Sequence, residues 1–137
     1  MSSEQSSAVW ARLCHFNDAY TANSRSGPEP VGGAARFKTL LDAQCPAINT
    51  CGGDVFNPSL MSTLTKGRHV PSLLLALGVH VSCVGNHDLD FGVDILEGLI
   101  AQTMIPWVLS NVKIKGKTVP GCVESVVITA PQGARIA

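Results

Sequence analysis

Apolar residues recur at two different spacings along the chain, and the changes of spacing divide it into elements. "ARLCHFN" alternates and predicts a strand ending near Asn17. "DAYTANSRSGPEPVGG" is a loop by its Gly, Pro, Ser and Asn content. In "AARFKTLLDAQ", Phe37, Leu40 and Leu41 fall at helical spacing, which predicts a helix from about Ala34 to Ala43. "PAINTC" is a candidate strand, although it is poorer in apolar residues than a buried strand should be. After the loop "GGDVFNPS", Asn57 as a cap and Pro58 at the first helical position predict a helix with Leu60, Met61 and Leu64 on one face. Gly67 ends it. "VPSLLLALG" predicts a second helix with Leu73, Leu74 and Leu77 inward and Gly78 as its stop. "VHVSCV" alternates as a strand, with Val79, Val81 and Cys83 on one face. A helix from about Val93 to Thr103 puts Leu96, Leu99 and Ile100 on one stripe, and "PWVLSN" follows as a short strand. From Lys113 onward, "NVKIKGKTVPG" and "ESVVITA" are rich in β-branched residues and read as extended. Residues 1–9 read as a polar, disordered tail, leaving 10–137 as the folded part.

Strands and helices thus alternate, which argues for an α/β fold of parallel strands joined by crossover helices. In such sheets ligands sit beyond the carboxyl ends of the strands. Three polar loops fall there: Asp18 after the first strand, "GGDVFN" after the second and "GNHDLDFG" after the third.

Bulk properties narrow the classes. A chain of 137 residues suits one domain with its own core. Hydrophobic residues are 45% and charged residues 15%, below the roughly 25% usual in globular domains, so the composition is not that of a disordered chain. Ten basic and ten acidic residues cancel, which removes the electrostatic footprint expected of a nucleic-acid binder or a protein held on an anionic membrane. The N-terminus lacks the charged and apolar regions of a signal peptide, and runs such as "LLLALGV" are too short to span a bilayer. A soluble protein in the cytoplasm or another intracellular compartment is expected. Cys14, Cys45, Cys51, Cys83 and Cys122 form no C-x-x-C pair and read as reduced, partly buried thiols.

Asp18, Asp54, Asn86 and His87 would converge if the sheet forms as described. Neighbouring aspartates repel unless they are protonated or share a cation. Oxygen and imidazole donors together suit Mn, Fe, Zn or Mg. Two such metals clamp the attacking and leaving oxygens of a phosphoryl displacement. Each residue also has an ordinary alternative: Gly-Asp after a strand as a turn, Asn-His as a loop pair, and Asp90 as a cap for the helix near Val93. His15, His69 and His80 have no partner pattern and read as structural or surface residues. A dinucleotide fold is disfavoured, because "GGAARF" lacks the G-x-G-x-x-G spacing and no strand leads into it.

The blocks "HFNDAY", "VGGAARFKTLL", "GGDVFNPSLMSTLTKG", "VGNHDLDFGVDILEGLI" and "PWVLSNV" resemble, in order, those of the 5′-nucleotidase branch of the calcineurin-like metallophosphoesterases, from about Arg12 to Val112. The resemblance implies the N-terminal part of a β-sandwich flanked by helices, a four-layer αββα arrangement. It implies two divalent ions, with Asp18 on one, Asp54 bridging both and Asn86 on the second. It implies His87 as the residue assisting catalysis at the phosphate and Asp90 as its orienting carboxylate. The substrate class implied is a phosphate monoester of nucleotide type.

Two departures qualify the resemblance. Tyr20 stands where the family often has a histidine ligand, and a protonated phenol, with a reference pKa of about 10, is a poor one. The family pattern also continues past "GARIA" with further histidine motifs and a nucleoside-binding domain, so this sequence is expected to be the front part of a catalytic domain, incomplete at its C-terminal end. The two functional expectations are therefore metal-dependent hydrolysis of a phosphate monoester, weak in these residues alone, or a non-catalytic remnant that binds metal or a partner protein.

Overall fold

The structure, a computed structural model, describes residues 10–131 and 133–137, so the expected tail at 1–9 lies outside the described residues. Five parallel strands form one sheet in sequential order: β1 (Leu13–Phe16), β2 (Ile48–Cys51), β3 (Val81–Cys83), β4 (Trp107–Val108) and β5 (Cys122–Val123). A short antiparallel pair follows, β6 (Ile128–Thr129) with β7 (Arg135–Ile136). The helices are α1 (Ala34–Gln44), α2 (Leu60–Thr65), α3 (Val70–Leu77) and α4 (Val93–Thr103). A sheet whose strands follow one another in order, with crossovers of one hand, collects its helices on one face. Here α1 packs on α3 and α3 on α4.

The core lies between those helices and the sheet. Phe56 stacks on Trp107 with ring centroids 5.3 Å apart, and both are fully buried. Leu74, Leu96, Leu99 and Val70 close around them. The Trp107 indole N–H donates to the Thr103 hydroxyl at 2.9 Å, so the largest core side chain leaves no polar atom unpaired. Full burial of such side chains is worth about 1.5–3 kcal/mol each, which explains why the α3 and α4 stripes appear as predicted.

The polar strand β2 is explained by Asn49. Its side-chain amide donates to the carbonyls of Leu77 (3.2 Å) and Gly78 (3.3 Å), and its backbone N–H donates to His80 Nδ1 (3.1 Å). An asparagine thus replaces an aliphatic residue because it ties the end of α3 to the sheet. His80 is structural, as expected.

Two expectations need correction, and a third holds with an outcome that spacing did not specify. The α2 cap is Ser59, whose hydroxyl accepts the Ser62 N–H at 2.9 Å; the Asn57 side chain is occupied elsewhere. Leu60, Met61 and Leu64 do share a face of α2, but that face is exposed, with Leu60 at 79%. Val79, expected on the face of Val81 and Cys83, lies instead in the core with the α3 and α4 residues, and within β3 the fully buried residue turned toward the helices is Ser82. Val81 and Cys83 line the opposite face with Leu13, His15, Thr50 and Val108, along a cleft bordered by Glu124–Val126 and Ile136.

Candidate functional site

The parallel register sets the strand ends level: Phe16 lies beside Cys51, and Cys51 beside Ser82. The loops leaving these ends therefore start on one rim. Asp18 follows β1 by two residues, Asp54 follows β2 by three, and Asn86 and His87 follow β3 by three and four. The Asp18 N–H donates to the Gly53 carbonyl at 3.2 Å, which joins the first two loops.

The second and third loops touch through backbone. A Cβ on Gly53 would collide with the Gly85 nitrogen, and a Cβ on Gly85 would collide with Asp54 Oδ1. Glycine is required at both places because no side-chain atom fits between the loops. Asp54 Oδ1 then accepts the His87 backbone N–H at 2.7 Å. Asp18 and Asp54 both sit in the left-handed region, with φ of 55° and 54°. Aspartate tolerates that region better than most residues, and such conformations concentrate where geometry serves a site.

His87 Nδ1 lies 2.9 Å from Asp90 Oδ2, and the same oxygen accepts the Asn57 amide N–H at 2.6 Å. The carboxylate can only accept, so Nδ1 carries the proton and Nε2 is left for a ligand. The Asp90 hydrogen bond raises the His87 pKa above its ordinary value, against a smaller effect of burial. The Asn57 and His87 bonds hold the Asp90 carboxyl below the usual carboxylate range. Asp90 does not cap α4: that helix starts at Gly92 without a side-chain cap.

Tyr20 closes the first loop over the rim. Its hydroxyl donates to Asp18 Oδ1, Asn17 donates to Asp18 Oδ2, and its ring meets the His87 ring edge-on at 6.1 Å. The Asp18 hydrogen bond, with the added repulsion of neighbouring carboxylates, pushes the Tyr20 phenol up to about 12. It is a hydrogen-bond donor at neutral pH, not an anionic ligand.

The donors divide accordingly. Asp54 keeps one oxygen and Asn86 its side-chain carbonyl without a protein hydrogen-bond partner among the described residues, so both fit a hard divalent cation. Both oxygens of Asp18 are engaged by Tyr20 and Asn17. Among the described residues, no group of three or more His, Cys, Asp or Glu is placed to hold a metal ion. Any cation here would rest on oxygens of mixed type, with water completing its shell.

Two residues of the site escape a reading of periodicity and motif. Asn57 holds Asp90, and its expected capping role concealed this. Asp88 is almost fully buried and accepts four backbone N–H groups: Val55 (2.9 Å) and Phe56 (3.0 Å) on Oδ1, Asp54 (2.9 Å) and Gly85 (2.9 Å) on Oδ2. Burial raises its pKa while the four N–H bonds oppose that shift. Each oxygen faces two donors, so a protonated oxygen would point its hydrogen at an N–H, and the ionised form is the one that fits.

No family model matches the chain. Its sequence is 31% identical over 118 residues to the 5′-nucleotidase of Bos taurus, covering 76% of this chain and 21% of that protein. The chain therefore spans about a fifth of the length of such relatives. Its fold matches the N-terminal part of the 5′-nucleotidase precursor from Thermus thermophilus, with a TM-score of 0.78, 23% identity, and coverage of 91% of this chain and 27% of that one. It also matches a calcineurin-like phosphoesterase from Bacillus subtilis, with a TM-score of 0.68, 16% identity, and coverage of 92% and 45%.

Proposed function

Because the chain is homologous to the N-terminal part of the 5′-nucleotidases, we propose that its rim is part of a site for metal-dependent hydrolysis of phosphate monoesters of nucleotide type. The observation that carries this reading is the direct contact between the Asp54 loop and the Asn86–His87 loop, with unpaired oxygen donors on both. Residues 10–137 are read as belonging to one such domain. A pair of divalent ions, when bound, supplies charge neutralisation at the phosphoryl oxygens and a water of lowered pKa. Asp54 and Asn86 would hold such ions, with Asp18 contributing once Tyr20 yields. His87, oriented by Asp90, keeps Nε2 free to give a proton to the leaving oxygen, and its raised pKa favours the protonated form that does so. A reducing, intracellular setting agrees with five cysteines that are all free.

A second reading is favoured by one observation. Both oxygens of Asp18 are already satisfied by Tyr20 and Asn17, which weakens the first metal position and suits a domain that holds one ion without turnover. Titration with Mn²⁺, followed by binding of inorganic phosphate and of a nucleoside monophosphate, separates the two. The phosphoesterase reading requires phosphate binding that depends on Mn²⁺ and disappears in Asp54→Asn. Mn²⁺ uptake without phosphate binding favours the second reading. Phosphate binding indifferent to EDTA overturns the first.

A further inference from the structure

We propose that Asp88 is the positioning residue of this site: its buried carboxylate fixes the separation of the Asp54 loop from the Asn86–His87 loop. The two loops belong to different crossovers and lie more than thirty residues apart in sequence. Three of the four N–H groups bound by Asp88 come from the first loop, at Asp54, Val55 and Phe56, and the fourth from Gly85 beside the second. Asp88 itself sits between His87 and Leu89 in the single turn that presents Asn86 and His87. One side chain therefore ties the backbone of one proposed metal residue, Asp54, to the turn carrying a second, Asn86, and the proposed proton donor His87. Asp54 returns the contact through its own carboxylate on the His87 N–H.

The chemistry demands a carboxylate rather than any polar group of that size. Both oxygens accept two N–H bonds each, and an amide has only one accepting end. In Asp88→Asn the NH₂ end must face either Val55 and Phe56 or Asp54 and Gly85. Two attractions become two donor–donor contacts at a side chain almost fully shielded from solvent. The shape is unchanged, so the defect falls on the loop separation and not on core volume. Groups that hold metal ligands in place are typically worth about 10–100-fold in metal affinity.

The inference rests on the phosphoesterase reading for its purpose but not for its test. The whole chain is compared as wild type, Asp88→Asn and Thr103→Ala. The last removes a buried hydroxyl that bonds Trp107, a residue that reaches the rim only through its stacking on the Phe56 ring, leaves all four N–H bonds to Asp88 in place, and serves as a control for general loss of stability. Amide hydrogen exchange at Asp54, Val55, Phe56 and Gly85 should accelerate in Asp88→Asn relative to the β2 amides, and should not do so in Thr103→Ala. Mn²⁺ affinity should fall about 10–100-fold in Asp88→Asn and stay near wild type in Thr103→Ala. Unchanged exchange at the four amides overturns the proposal, as does an equal loss of Mn²⁺ affinity in both variants. A wild type that takes no Mn²⁺ refutes the phosphoesterase reading instead, and the exchange comparison still decides the role of Asp88. If Asp88→Asn does not fold, Asp88→Glu is read in the same way, because its oxygens are displaced by one methylene. Wild-type exchange in that variant overturns the proposal.

Discussion

Gly85→Ala isolates the close approach of the two rim loops. The backbone at Gly85 does not have a positive φ, so alanine meets no conformational penalty there, and the whole effect is steric. The added Cβ would collide with Asp54 Oδ1 and stand 2.5 Å from its Cγ and 2.6 Å from its backbone nitrogen. The Asp54 side chain can swing away, but the backbone nitrogen cannot, so the loops must part by about 1 Å to reach ordinary contact. Swinging the carboxylate away loses its bond to the His87 N–H, a charged hydrogen bond worth roughly 1.5–3 kcal/mol. Parting the backbones stretches the Gly85 and Asp54 bonds to Asp88 and adds overpacking strain of about 1–3 kcal/mol. The two costs together give an expected loss of about 2.5–6 kcal/mol, a large share of the roughly 5–15 kcal/mol typical of a folded domain. With a urea slope of about 1.5 kcal/mol per molar for a chain of this size, the unfolding midpoint should fall by about 1.7–4 M. Tryptophan fluorescence in EDTA reads this directly, because Trp107 is fully buried while Trp10 is already exposed. A wild-type midpoint in Gly85→Ala would show that the loops do not meet as described.

Gly98 gives the opposite sign. It lies inside α4, and a Cβ added there would have nothing within 4 Å, so Gly98→Ala should raise stability by about 0.5–1 kcal/mol, read from the same urea curves. Asp90→Asn removes the largest cause that raises the His87 pKa, so the imidazole should titrate at lower pH by NMR in the metal-free chain; an unmoved titration would deny the pairing. The pH window of that pair follows from the two shifts. The His87 contribution is complete below its unfolded pKa, about 6.5, and is lost as pH rises through the folded value; the Asp90 contribution is present above its unfolded pKa, about 3.9, and is lost as pH falls through the folded value. Any stability deficit of Asp90→Asn should therefore be largest between about pH 4 and 6.5 and shrink as pH rises through the raised His87 value.

Legibility in the sequence followed periodicity and stopped where periodicity stops. The α1 and α4 boundaries were readable because an apolar stripe ends at a break on each side. The parallel sheet and the shared rim followed from the alternation of elements, whereas the order of the strands did not. The apolar face of α2 was readable as a face, but spacing alone does not say whether another element covers it, and here none of the described residues does so fully. Strand β3 misled for a related reason. Both faces of a parallel sheet carry apolar residues, so alternation of Val81 and Cys83 did not tell which face meets the helices, and the answer was Ser82. Asn57 and Asp88 escaped because a loop residue's partner is fixed by tertiary approach. Asp88 meets the 54–56 backbone only through the β2–β3 crossover, which brings two strand ends together.

The rim also concentrates features that weaken a chain without a ligand. Asp18 and Asp54 hold left-handed backbone, and both carboxylates raise the Tyr20 and His87 pKa values through space, which places them within electrostatic reach of one another's partners. Carboxylates that share a pocket without a cation repel, and proteins commonly give up stability at such sites for function. Asp18→Asn separates the two effects. Asparagine is at least as content as aspartate in the left-handed region and retains one accepting oxygen for Tyr20; the bond from Asn17 is lost, but it is exposed and that amide can turn to water, while one negative charge leaves the rim. In EDTA and low salt the variant should be as stable as wild type or more so, by up to about 0.5 kcal/mol, and the gain should vanish at high salt as screening removes the repulsion from wild type. In Mn²⁺ the order should reverse, because ligand binding stabilises only the chain that binds it well. The measurement is a set of urea curves in four conditions: EDTA or Mn²⁺, each at low and high salt. An Asp18→Asn chain less stable than wild type in EDTA at low salt would mean that Asp18 serves the fold itself through Tyr20 and Asn17, and that its charge is not held in readiness for a cation.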